Sequence, residues 1–102
     1  MSRPVFLDKD QRQENAKKEL RRNAILIVLN RLMPNWAILD TILEGVASRG
    51  VKINEDILTA DIGYWINLGF IQSDEGTEAA VANTHFSITD KGQQYLEKLG
   101  LA

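Results

Sequence analysis

The stretch NEDILTADIGYWINLGFI, Asn54 to Ile71, decides the fold. Asn54 has N-cap chemistry: its side-chain oxygen can accept one of the free N–H groups of a helix's first turn. Glu55 and Asp56 follow where the positive end of the helix dipole favours acids. Leu58, Ile62, Trp65 and Ile66 recur at helical spacing and make one apolar face. Gly63 weakens the helix locally, by about 1 kcal/mol relative to alanine. Gly69 ends it, and Phe70-Ile71-Gln72 reads as a strand. The spacing predicts a helix from about Asn54 to Leu68 that feeds directly into a strand.

Downstream, Ser73 to Asn83 is polar and small, with Gly76 and three acids (Asp74, Glu75, Glu78). Thr84 to Ile88 alternates and reads as the returning strand. Thr89 caps a last helix whose Tyr95, Leu96 and Leu99 can pack back. Upstream, Trp36, Leu39, Ile42, Leu43 and Val46 share one face of another helix, with Asn35 as its N-cap. Ser48-Arg49-Gly50 ends that helix, Gly50 suiting a left-handed C-terminal position. Val51-Lys52-Ile53 alternates and suits a very short strand.

The first seven residues read as an arm, Pro4 disfavouring early helix. Asp8 with Gln11 has the spacing of a capping box. Ala16, Leu20, Ala24 and Ile27 then follow a helical stripe. Before Leu20 the charges are dense and the stretch reads as a solvated extension; from Leu20 to Leu32 it reads as a core helix, stopped by Pro34 and Asn35. Ala24 to Leu29 is the longest apolar run, too short to span a bilayer and suited to buried helix. The chain divides into an arm and basic helical extension, 1–19, and one domain, 20–102. The expected fold is mainly α with a small β-hairpin: a three-helix core, a hairpin and a C-terminal helix.

Three short helices followed by a β-hairpin is the winged-helix plan, and two segments carry that resemblance. Ile62, Trp65, Leu68, Gly69, Phe70 and Ile71 resemble the passage from third helix to first strand in winged-helix proteins. Phe86-Ser87-Ile88-Thr89-Asp90-Lys91-Gly92, then Tyr95-Leu96, resembles the end of the wing in MarR- and PadR-like proteins. The likeness runs from about Leu20 to Leu99. Glu19-Leu20-Arg21-Arg22, the Ala-Ile-Leu run after it, and the region from Tyr64-Trp65 to Gly69-Phe70-Ile71 also look like small winged-helix transcriptional regulators of Mu-like phages and prophages. The resemblance implies a winged helix-turn-helix and a DNA-binding regulator.

Composition bounds the chemistry. The 102 residues fit one domain, and 44% hydrophobic content suits a globular chain. The absence of cysteine removes disulfides and thiol nucleophiles, and suits a reducing cytoplasm. Met1 to Asp10 is polar and lacks the apolar region of a signal peptide. His85 is the only histidine; on a strand it reads as a surface residue, because zinc needs several N/S ligands. Asp56 and Asp61, five apart, do not share a helix face cleanly and read as solvated, as do Asp90 and Glu97. Trp36 and Trp65 sit at core-face spacing and read as packing residues. No phosphate-cradling glycine loop or Ser/His/Asp ordering is present, so no enzyme activity, metal or cofactor is expected.

Charge distribution speaks to partners. Residues 1–31 carry eight Lys/Arg against four Asp/Glu; the remainder carries four against ten. In a helix-turn-helix the third helix enters the major groove and offers Arg, Lys, Asn or Gln to base edges. Here that helix holds three acids and no base, and phosphate neutralisation supplies most non-specific DNA affinity. If double-stranded DNA is the partner, Lys17, Lys18, Arg21 and Arg22 are the expected phosphate contacts, with Thr59, Tyr64 and Asn67 nearest the groove. The plainer reading of the basic stretch is a solvated helix laced by Glu14–Lys17 and Glu14–Lys18 pairs. The rival partner is a basic protein docked on the acidic third helix and hairpin, or a second copy paired through the N-terminal helix.

Overall fold

The computed structural model describes residues 9–74 and 83–102. The expected arm, Asp8 of the capping box, and Glu75 and Glu78 of the acidic loop lie outside them. The order is α1 (Lys9–Leu32), α2 (Leu39–Ser48), α3 (Glu55–Asn67), β1 (Ile71–Ser73), β2 (Phe86–Ile88) and α4 (Asp90–Lys98). The chain is therefore mainly helical with one small antiparallel hairpin, as its patterning predicts.

The core forms around α1. Every residue from Ala24 to Leu29 is buried, all round the helix, because α2, α3, β2 and α4 all pack on α1. Leu39, Ile42 and Val46 of α2, and Leu58, Ile62 and Trp65 of α3, close over it with Phe86, Ile88 and Leu96. Residues 11–20 are exposed, Leu20 by 63%. Burial thus starts at Ala24, not at Leu20: Ala16 and Leu20 continue the apolar stripe past the point where anything covers it. Glu14 pairs with neither Lys17 nor Lys18 among the described residues.

The entry to α2 differs from expectation. Ala37 forms a bridge with Phe86, its N–H and carbonyl both bonded there at 2.8 Å. That pairing holds Ala37 extended, so the helix cannot begin at Asn35. It begins at Leu39, after Ile38, which makes no side-chain cap. Asn35 instead donates its N–H to the Leu32 carbonyl at 2.8 Å, and Trp36 is 41% exposed rather than packed in the core.

The later elements follow their local chemistry. Asn54 caps α3 by accepting the Ile57 N–H at 2.8 Å. Thr89 caps α4 by accepting the Gly92 N–H at 3.1 Å. Gly50 and Gly69 sit at φ +82° and +80°, in the left-handed region where glycine ends helices without steric cost. Val51 to Ile53 forms no strand; Val51 and Ile53 lean on the core from the connection between α2 and α3. In the hairpin Ile71 pairs with Ile88 and Ser73 with Phe86. On α4, Leu96 is buried and Tyr95 half-buried, whereas Leu99 is 44% exposed. No helix among the described residues is long and apolar enough to cross a membrane.

Candidate functional site

The polar centre of the molecule is Asp61. It lies on α3 among Leu58, Ile62 and Trp65, and only 2% of it is exposed. The expectation of a solvated Asp61 is therefore overturned, whereas Asp56 is exposed as expected. A buried carboxylate requires partners, and α1 supplies two. Arg21 grips it with a two-pronged contact, Nε to Oδ2 and Nη2 to Oδ1, the latter at 3.0 Å. Arg22 Nε reaches Oδ1 at 3.1 Å. The Asp61 hydrogen bond and charge raise the Arg21 pKa above its ordinary value, against the opposing effect of partial burial.

Arg22 is fixed from three sides. Besides Asp61, its guanidinium carbon lies 3.8 Å from the centre of the Tyr64 ring, a cation–π contact. Its backbone carbonyl accepts the Trp65 indole N–H at 2.9 Å. Neither of its terminal nitrogens bonds to another described residue. Trp65 in turn stacks on Phe70, ring centres 5.2 Å apart, and packs beside Tyr95 at 5.5 Å. Bonds and ring contacts thus run continuously from α1 through α3 to α4.

A hollow of about 260 Å³ opens over this junction. One face of α1 lines it with Asn15, Lys18, Glu19, Arg22 and Asn23, residues three or four apart that lie above one another on a helix. Tyr64 and Trp65 come from α3, and Tyr95 from α4. Burial and then the nearby Glu19 and Tyr64 raise the Tyr95 phenol above its ordinary pKa. Arg22 held in place, an exposed Lys18, Glu19, two amides and the Tyr64 and Tyr95 phenols thus surround one space, groups suited to ion pairing and hydrogen bonding.

The seven expected DNA contacts separate into groups. Lys18, Arg22 and Tyr64 meet at the hollow. Arg21 is committed to Asp61. Lys17 is exposed on α1, one residue round from the hollow. The Thr59 hydroxyl donates to the Glu55 carbonyl at 2.8 Å, and Asn67 is exposed at the end of α3. Arg49 and Lys52, exposed and unpaired in the link between α2 and α3, were not singled out from the sequence. Asn15, Glu19, Asn23 and Tyr95 were not read as site residues either, because nothing local marks residues that meet only on folding.

On the opposite side of α3, Asp56, Ala60, Gly63 and Asn67 share one face turned away from the core. At the hairpin, exposed His85 donates its N–H to Asp74 Oδ1 at 2.9 Å, and its ring nitrogen lies 3.0 Å from Oδ2. No group of three or more potential metal ligands occurs among the described residues. Set against known protein families, curated proteins and solved structures, the chain matches none of them.

Proposed function

We propose that the chain is a non-catalytic winged-helix module that binds double-stranded DNA, a transcriptional regulator of the small phage and prophage type. The observation that carries the reading is the placement of α3. Asp61, Leu58, Ile62 and Trp65 clamp one side of it to the core, leaving the Asp56–Asn67 side free for a groove. The hairpin follows within four residues, and the Ala37–Phe86 bridge ties it to the entry of α2, which supports the winged-helix plan. Arg49 and Lys52 precede α3 in the link from α2 and can meet phosphates, as can Lys17 and Lys18 on α1.

A second reading has its own observation. Arg21 and Arg22 are engaged by Asp61, and α3 offers solvent Glu55 and Asp56 but no cation. That surface suits a basic protein partner. Fluorescence anisotropy of a mixed-sequence duplex at low and moderate salt separates the two. DNA binding predicts affinity that weakens steeply as salt rises. It also predicts a shallower salt slope for Arg49→Glu/Lys52→Glu and for Lys17→Glu/Lys18→Glu. Unchanged affinity in both double variants contradicts the phosphate assignments; no binding at low salt favours the protein partner.

A further inference from the structure

We propose that the hollow between α1, α3 and α4 is a binding site for a small organic carboxylate. This does not depend on which macromolecule the chain binds. Arg22 is the anchor of the site. Asp61 holds its Nε and the Tyr64 ring supports its plane, so the guanidinium is fixed before any ligand arrives. Its outer nitrogens have no partner among the described residues, and Arg22 is one of the residues that line the hollow. A planar fork of N–H donors matches the two oxygens of a carboxylate. A fixed fork loses little entropy on binding.

Charge narrows the class. Lys18 and Arg22 bring two cations to the lining and Glu19 one anion, an excess of one positive charge. That suits a monoanion; Glu19 disfavours a phosphate dianion. Size narrows it further. About 260 Å³ falls just below the roughly 300–1,000 Å³ that holds drug-sized ligands, so the ligand is metabolite-sized. Trp65 and Tyr95 supply an aromatic wall for its apolar part, while the Arg22 guanidinium already covers the Tyr64 face.

The chain has only two tryptophans, and Trp36 lies outside the hollow. In a Trp36→Phe background Trp65 therefore reports alone. The experiment titrates this protein with benzoate, phenylacetate, L-phenylalanine and inorganic phosphate, following tryptophan fluorescence. Saturable binding of at least one carboxylate is expected, with phosphate weaker. Lys18→Gln, an exposed substitution, and Arg22→Lys, which keeps the charge but loses the fork, each weaken that binding by about tenfold or more. The proposal is overturned if no carboxylate gives a saturable change. It is equally overturned if phosphate binds as tightly, or if Lys18→Gln leaves the affinity unchanged.

Discussion

Asp61 shows how one residue can carry an inter-element contact that composition hides. Its carboxylate takes hydrogen bonds from both arginines of α1, and removing it leaves two guanidinium groups facing a buried gap. Asp61→Ala is expected to destabilise the fold by about 2–3 kcal/mol. This is below the value for a fully buried pair, because both arginines keep some solvent contact. Arg21→Ala leaves Arg22 on the carboxylate and should cost less. Urea unfolding checks both: the midpoint falls further for Asp61→Ala, at unchanged slope. The sequence held a signal for this that the solvated reading of Asp61 missed. Asp61 lies three residues after Leu58 and four before Trp65, so it falls on the apolar face, where an acid needs a cation from another element. Which cation answers depends on α1 crossing α3 at Arg21 and Arg22, some forty residues away in the chain.

His85 and Asp74 give a residue-scale test by pH. The Asp74 carboxyl is held below its ordinary pKa, first by the His85 backbone N–H and then by the His85 ring. A folded value below the unfolded one means the contact stabilises above the usual carboxylate range. That contribution is lost as pH falls through the folded value. Asp74→Ala should therefore narrow the drop in urea midpoint between neutral and strongly acid solution. An identical drop in both proteins would contradict the assignment.

At the scale of elements, the local signals that proved reliable were caps and stops. Asn54, Thr89, Gly50 and Gly69 each do in the structure what their chemistry predicts. The start of α2 was not legible. Asn35 is a good cap by type, but Ala37 is drawn into pairing with Phe86, a residue far along the chain, and extended backbone there excludes helix. Leu20 and Leu99 continue apolar stripes beyond the core, since periodicity records a face and not what covers it. Two glycines test the packing with opposite signs. A Cβ at Gly92 would lie 2.5 Å from the Phe70 carbonyl and 2.7 Å from Ile88 Cγ1, so Gly92→Ala must push α4 off the hairpin and should cost about 1–3 kcal/mol. A Cβ at Gly63 meets nothing within 4 Å, so Gly63→Ala should stabilise α3 by about 0.5–1 kcal/mol. Thermal unfolding of the two variants, one below and one above the parent, is the expected result.

For the whole molecule, the basic head and acidic body of the sequence resolve into a different pattern. Part of the head's charge turns inward to Asp61; the free cations among the described residues include Lys17 and Lys18 on the uncovered half of α1, and Arg49 and Lys52 in the link before α3. The fold class was legible because helix, hairpin and helix follow from periodicity and turn chemistry. The hollow was not, because its lining spans residues from Asn15 to Tyr95 and exists only once α1, α3 and α4 have packed. The central claim is that the free face of α3 and the link before it meet DNA. Its most direct test is a ¹⁵N–¹H correlation spectrum of the protein titrated with a short duplex at low salt. Amides of Arg49 to Asp56, and of Ala60, Gly63 and Asn67, are expected to shift first and return when salt is raised. Shifts confined to other surfaces, or none at all, would contradict it.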